Sequence, residues 1–348
     1  MKDRVKINKA IDIKQINLEK DNIIRMQNQG LYPKEYDFPL TLQFELTTKC
    51  NVYCKHCYNA SGGERKNADR MTPEEWIKFS KYIVKNGGIF QCVISGGEPL
   101  LLGEQLYDIM DILHDDGTNF LLISNGFLLT KEKIKKLAKY RFKWLQVSID
   151  GAKKEYHDAF RRREGSWEKA VRVAFEVTKA GIPLTIAHSV TPGNLDDVDE
   201  MCELAYTLGA GAIILGEVNP SGRSAYADDL LLNYEQKNIL YEKIEMNSSK
   251  YKGRMEVQRS SSVKNQLLRY QNTPNSGAII RPNGDIRLDC MAPFVLGNVL
   301  DDDFKSVWKL KAKDCWENQK VCEYIDAFDD ITDINGFQKN YVEEDILI

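Results

Sequence analysis

Between residues 41 and 217 the sequence alternates six times between a short apolar run of strand character and a longer stretch of helical periodicity. Residues 42–46 alternate apolar and polar side chains, the pattern of a strand with two different faces. Thr72-Pro73-Glu74-Glu75 then supplies a helix cap, a proline at the first helical position and a glutamate three residues after the cap, which starts a helix running to residue 86. Further strands are expected at 89–95, 119–124, 144–149, 184–190 and 212–217. Helices are expected between them at 103–116, from a Thr130 cap to 140, from a Ser166 cap to 181, and at 194–208. Strands that alternate with helices run parallel, and right-handed crossovers curl the sheet. The expected fold is therefore α/β, a partial (β/α)6 TIM-like barrel.

Barrels of this kind build their sites at the C-terminal ends of the strands. Each of those ends is polar or glycine-rich here. After the first come Ser95-Gly96-Gly97-Glu98-Pro99, Ser124-Asn125-Gly126, Ser148-Ile149-Asp150-Gly151, Ser189-Val190-Thr191-Pro192-Gly193-Asn194 and Glu217-Val218-Asn219-Pro220-Ser221-Gly222-Arg223. One or two such stretches would be turn punctuation, but a full set converging on one face marks a site. The first strand end is chemically the most explicit. The stretch Thr47-Thr48-Lys49-Cys50-Asn51-Val52-Tyr53-Cys54-Lys55-His56-Cys57-Tyr58 holds three of the eight cysteines, spaced C-x3-C-x2-C. A structural zinc site is closed by four protein ligands, and a ferredoxin-type cubane takes four cysteines. Three thiolates on one short loop leave a coordination position open, and an open position is where chemistry happens.

Composition narrows the remaining classes. A net charge of −3 gives no bulk electrostatic case for nucleic acid or an anionic membrane as partner. No apolar run reaches transmembrane length, and Met1-Lys2-Asp3-Arg4 lacks the apolar core of a signal peptide, so a cytoplasmic location is expected. Cysteines in a reducing compartment read as metal ligands, catalytic groups or buried core rather than disulfides. Cys92 in an apolar strand and Cys202 in a helix are expected as small buried hydrophobes.

The cysteine loop directly after the first strand, with Gly-Gly-Glu-Pro after the second, resembles the radical S-adenosylmethionine (SAM) superfamily. Ser148-Ile149-Asp150-Gly151 with His157-Asp158-Ala159-Phe160-Arg161 and Gly165-Ser166 is similar to its subgroup with a SPASM or twitch C-terminal extension. So are Pro220-Ser221-Gly222-Arg223 and Gly284-Asp285-Ile286-Arg287, followed by Cys290, Gly297-Asn298 and Trp308. The resemblance implies that Cys50, Cys54 and Cys57 hold three irons of a [4Fe–4S] cluster whose fourth iron is chelated by SAM. One electron then cleaves the sulfonium and yields a 5′-deoxyadenosyl radical that abstracts hydrogen. By the same resemblance the backbone of Gly96, Gly97 and Glu98 takes the SAM ammonium, and Ser124, Asn125 and Ser148 take ribose or carboxylate. Arg161 offers a guanidinium fork to a carboxylate, and Tyr58 lines the SAM site. His56 stands where an aromatic residue is usual and reads as a packing group rather than an iron ligand. No catalytic acid or base is assigned. An electron donor such as a flavodoxin or ferredoxin is implied as partner. Members with these motifs commonly cross-link, epimerise or oxidise ribosomally made peptides, so a peptide is the expected substrate. The alternatives are small-molecule or cofactor biosynthesis by the same radical chemistry, and a non-catalytic metal-binding or peptide-recognition module on this fold.

Beyond Arg223 the alternation stops. Residues 228–251 read as a polar helix, 252–275 are ambiguous, and 278–288 read as a hairpin around Pro282-Asn283-Gly284. The chain thus divides into a helix over 17–29 with an extended lead-in (1–40), the barrel (41–225), and a bridging helix with a small α+β twitch/SPASM-like module (226–348). The resemblance implies two auxiliary clusters in a full SPASM module and one in a twitch module. Only Cys290, Cys315 and Cys322 remain here, with Asp289 where a cysteine is usual. Two clusters are excluded by that count. Three readings stay open: a second cluster held by those cysteines with Asp289, a substrate group or an exogenous ligand; cysteines that pack or stay free; or one that donates hydrogen to a substrate radical, as in radical peptide epimerases.

Overall fold

The computed structural model describes residues 25–30, 36–62, 69–260, 263–271, 273, 275–327 and 344–348. Of the helix expected over 17–29, residues 17–24 lie outside the described residues and 25–28 are helical. The six expected strands form as β1 (Thr41–Glu45), β2 (Gln91–Ser95), β3 (Asn119–Ser124), β4 (Phe142–Ser148), β5 (Leu184–Val190) and β6 (Ala212–Glu217), all parallel and in sequence order. The helices between them are α1 (Pro73–Lys85), α2 (Gln105–Asp115), α3 (Lys131–Leu137), α4 (Lys154–Arg161), α5 (Ser166–Lys179) and α6 (Val198–Thr207). Thr72 caps α1 by accepting from the Glu75 amide at 3.2 Å, and Thr130 caps α3 through the Lys133 amide at 3.3 Å, as the sequence signals require.

One face of this sheet is sealed by the helices. Phe44, Ile94, Leu122, Leu145, Ile186 and Ile213 are fully buried in one cluster with Trp76, Ile109, Val177 and Met201 from the helices. The alternate residues Gln43, Val93, Gln146, Ser148, Ala187 and Ile214 are half-buried on the opposite, inner face. The inner face is therefore mixed, with Gln43, Gln146 and Ser148 set among apolar residues, and it leads upward to the loops at the strand ends.

Three features depart from the sequence reading. Helix α4 was not anticipated, because residues 154–161 carry charge on all but a narrow apolar stripe. Ser166 does not cap α5: the cap position is Gly165, and the Asp158 carboxylate takes the amides of Gly165 and Trp167 at 2.8 Å each and the Ser166 hydroxyl at 2.8 Å. Asn194 opens no helix; its side chain accepts the Thr191 amide at 2.8 Å and donates to the carbonyls of Asp150 and Ser189, so α6 starts only at Val198.

The parallel run also extends further than expected. After α7 (Tyr234–Lys250), β7 (Glu256–Arg259) pairs parallel with β6, and α8 (Val263–Tyr270) resolves the rest of the ambiguous stretch. The expected hairpin forms as β8 (Gly277–Ile280) and β9 (Asp285–Arg287), and β8 pairs parallel with β1, Phe44 opposite Ile280. β10 (Phe294–Asn298) and β11 (Ile346–Leu347) continue the same sheet, which has eleven strands among the described residues. Among the described residues the C-terminal part also holds the short helices α9 (Phe304–Val307) and α10 (Gln319–Asp326). The hairpin is thus stitched onto the first barrel strand, beside the cysteine loop.

Candidate active site

The loop from Thr47 to Tyr58 leaves β1 and is held from several sides. Asp69 accepts the Thr47 hydroxyl at 2.5 Å and the Thr48 amide and hydroxyl at 3.0 and 2.6 Å. From the β2 end, the Gly97 amide donates to Thr47 O at 2.6 Å and the Glu98 amide to Lys49 O at 2.9 Å. A Cβ on Gly97 would stand 2.1 Å from Lys49 O, so this close backbone approach requires glycine. The C-terminal carbonyls of α4 contribute as well: Phe160 O accepts from Lys55 and Arg161 O from Tyr53. Arg223 closes the frame. Its amide donates to Cys57 O at 3.0 Å, its guanidinium to Cys54 O and Ser61 O at 2.8 Å each, and it lies 3.8 Å over the Tyr53 ring.

The three thiols inside this frame differ in surroundings. Asn125 Nδ2 points at Cys50 Sγ at 3.7 Å, and the Ser61 amide donates to Cys57 Sγ at 3.4 Å. N–H groups aimed at sulfur favour the thiolate that a cluster needs. Burial pushes the Cys50 thiol up to about 11 and the Cys54 thiol up to about 12, the latter opposed by the Arg161 charge. Ligation must therefore displace protons, and it couples to pH. Among the described residues no three His, Cys, Asp or Glu side chains converge as on a single ion. A cubane asks for something else, one thiolate per iron. Asn51 Nδ2, His56 Nδ1 and Ser61 Oγ are buried here without a partner, which makes the pocket polar where a charged cluster would lie. The residues fit a three-thiolate [4Fe–4S] cluster.

The other expected SAM residues are brought to the same face, with unequal freedom. The carbonyls of Gly96 and Gly97 carry no hydrogen bond among the described residues, which leaves acceptors for an ammonium group. Glu98 turns inward instead: fully buried, it accepts Ser124 Oγ at 2.9 Å, the Asn125 amide at 2.9 Å and the Leu100 amide at 3.4 Å. Burial raises its carboxyl to about 7. Ser124 is thereby committed to fastening β3 to β2. Asn125 bonds Asn51 Oδ1 at 2.9 Å, whereas Ser148 keeps its hydroxyl open on the inner face. Tyr58 donates to Glu45 Oε1 at 3.1 Å.

Arg161 has a partner that its sequence position does not show. Its Nε and Nη2 both lie 2.8 Å from Asp150 Oδ2, so one edge of the guanidinium is committed to a buried carboxylate. Asp150 also takes the Ser189 amide at 2.9 Å on Oδ1, and its carboxyl is held far below the ordinary range by Arg161, against the opposing effect of burial. His56 stacks on Phe160 with centroids 4.4 Å apart and Nε2 3.6 Å from Asp150, the packing role expected of it. Asp69, Asp150, Arg223 and the pair Glu45–Arg281 escaped the sequence reading as site residues. Asp150 and Arg223 lay inside quoted motifs, so a signal existed. Asp69 had none.

The second cysteine set is arranged differently. Cys315 donates to Ala312 O at 3.1 Å and Cys322 to Trp316 O at 3.4 Å, contacts that suit protonated thiols. Both Asp289 oxygens are occupied, by Gln266, Tyr270 and the Met291 amide at 2.7, 3.1 and 2.8 Å. In this arrangement Cys315, Cys322 and Asp289 each bond to neighbouring groups of the C-terminal part. Cys290 alone approaches the site face, where it feels Glu45 and Arg287.

Comparison with known proteins points the same way. The family described as the radical SAM superfamily matches residues 44–205. AdoMet-dependent heme synthase of Methanosarcina barkeri is 34% identical over 55% of this chain and 54% of its own. The subtilosin biosynthesis protein AlbA of Bacillus subtilis is 27% identical over 79% of this chain and 60% of its own. Mycofactocin maturase MftC of Mycolicibacterium smegmatis is 31% identical over 80% and 72%. The chain spans little more than half the length of the first two. In three dimensions it is similar to Streptococcus suis SuiB bound to S-adenosylmethionine, with a TM-score of 0.65 at 13% identity over 88% of this chain and 73% of that one, a likeness of fold. The family match over the barrel and a relative aligned along most of both chains agree with the chemistry of the cysteine loop, and this chain belongs to the radical SAM superfamily.

Proposed function

We propose that this chain is an iron–sulfur enzyme that cleaves SAM reductively and abstracts hydrogen from a ribosomally made peptide, with 41–225 as the catalytic barrel and 226–348 as its extension. The observation that carries the reading is the framed loop of Cys50, Cys54 and Cys57 facing the open carbonyls of Gly96 and Gly97. When bound, the cluster supplies the electron that breaks the sulfonium bond. The chain's own groups do the rest. Asn125 and the Ser61 amide stabilise sulfur charge, Gly96 and Gly97 orient the ammonium, and Ser148 meets a hydroxyl or carboxylate. Arg161 and Asp150 brace the loop from beneath. The electron comes from a donor of flavodoxin or ferredoxin type. A cytoplasmic setting suits the eight cysteines, all free of disulfides, and no helix among the described residues is long and apolar enough to cross a membrane.

A peptide substrate is supported by what similar proteins do: AlbA serves subtilosin biosynthesis, and SuiB has been seen with its precursor peptide SuiA. The heme synthase likeness favours a second reading, a small-molecule substrate handled by the same radical. Incubating a small peptide encoded beside this chain with enzyme, SAM and reductant separates them. Loss of two hydrogens indicates a cross-link or oxidation, and one deuteron gained in heavy water indicates epimerisation. Unmodified peptide alongside vigorous turnover of a porphyrin precursor would establish the second reading instead.

A further inference from the structure

Beside Tyr58 the hairpin carries two arginines whose compensation is unusual. Arg281 is 8% exposed. Its Nε is 3.2 Å from Glu45 Oε2 and its Nη2 donates to Asn59 at 3.3 Å, but its Nη1 is buried without a hydrogen-bond partner. Asp345 Oδ2 stops 4.0 Å from that nitrogen while its Oδ1 lies 3.3 Å from Arg287 Nε. Asp345 is brought there by β11, which lies on β10 through the Ile346 amide to Pro293 O at 2.6 Å and the Ile348 amide to Val295 O at 3.0 Å. Leu347 is 65% exposed, while Ile346 and Ile348 pack partly buried against the core, so this two-residue edge strand is held by two ladder bonds and two partly buried side chains.

We propose that Arg281 and Arg287 form a carboxylate-binding subsite for the peptide substrate, which the chain's own Asp345 fills until a substrate strand replaces β11. The proposal rests on the peptide reading above and specifies the peptide's chemistry. Two guanidiniums face two carboxylates, Glu45 fixed on β1 and Asp345 on the replaceable strand. Withdrawing Asp345 alone leaves a buried positive charge uncompensated, which opposes release. Exchange of one carboxylate for another conserves charge, so an acidic peptide can displace the strand and a neutral one cannot. The backbone terms match too. A peptide that takes the β10 edge forms the same ladder that β11 forms now, the strand-addition mode of recognition. The preferred substrate segment is therefore an acidic residue followed by an extended apolar pair, the pattern of Asp345-Ile346-Leu347. Bound so, it lies beside Tyr58, next to the third loop cysteine.

The test needs neither iron nor SAM, so its failure is separable from failure of the radical reading. A fluorescent, C-terminally amidated peptide Glu-Asp-Ile-Leu-Ile is titrated by anisotropy against the full chain, a chain lacking residues 344–348, and that shorter chain with Arg287→Gln. The shorter chain should bind it at least about tenfold more tightly than the full chain and than it binds the Asn analogue of the peptide, and Arg287→Gln should remove the preference. The Asn analogue with a free C-terminal carboxylate distinguishes a terminal from a side-chain acid. In the full chain, amide exchange at Ile346 and Ile348 should quicken with the acidic peptide and not with its neutral analogue, a readout that survives if the shorter chain folds poorly. Equal binding of acidic and neutral peptides, or exchange that ignores both, overturns the proposal.

Discussion

Asp150 is 1% exposed and draws its charge compensation from the guanidinium of Arg161, itself 5% exposed. Removing one member strands the other in a medium that solvates it poorly. Asp150→Ala should therefore destabilise the chain by about 3–5 kcal/mol in urea unfolding, and Asp150→Ala with Arg161→Met should cost less than Asp150→Ala alone. Around the same carboxylate sit imidazoles that burial keeps neutral. His157 accepts the Asp150 amide at 3.0 Å, and its pKa is lowered to about 3; His188, bonded to Ile149 O, is lowered too. A folded pKa below the ordinary value means stability that is fully present above about 6.5 and lost as pH falls toward the folded value. Melting temperature should accordingly drop from about pH 6.5 downward, before most carboxylates titrate. His157→Asn, which keeps an acceptor and cannot titrate, should flatten that slope; an unchanged slope would count against the imidazoles as its origin. At this scale the sequence was legible where the chemistry is local. Cys50, Cys54 and Cys57 declare themselves within eight positions, whereas Arg281 meets Asn59 across 222 positions. For Arg161 the guanidinium's type shows in the sequence and its partner Asp150 does not.

At the scale of elements, the segment Ser221-Gly222-Arg223 acts as a clamp on the cysteine loop. Gly222 has φ +57°, and a Cβ there would stand 2.3 Å from Tyr58 O and 2.4 Å from Cys57 O. Gly222→Ala should push the clamp off the loop, cost about 1–3 kcal/mol and lower iron retention during gel filtration. A variant that keeps its full iron and stability would show that the loop holds its shape without the clamp. The strands and their order could be read from the sequence because each is an apolar run with two distinct faces, bounded by glycine or a cap. Helix α4 could not, since it is only eight residues long and its buried face includes His157 and Arg161 beside Phe160, polar groups whose burial depends on Asp150, a partner from another segment. β7 was hidden likewise. Its polar sequence Glu-Val-Gln-Arg becomes a strand only because β6 offers an edge, and Arg259 then pairs with Glu217 and lies 3.4 Å over the Tyr241 ring.

On the scale of the whole molecule, the C-terminal part is one sheet with the barrel, because β8 pairs with β1. This connection places Arg281 and Cys290 at the site face, while Cys315 and Cys322 bond backbone carbonyls of their own segment. Replacing Cys290, Cys315 and Cys322 with Ala together should leave the iron content of reconstituted protein at about four per chain; a fall from about eight to four would demonstrate a second cluster. The central claim concerns the first set, and it is tested most directly by SAM cleavage. Anaerobically reconstituted protein with a strong reductant should convert SAM to 5′-deoxyadenosine, and Cys54→Ala should abolish the product. Product formed undiminished by the variant, or no product from protein carrying its full iron, would contradict the account.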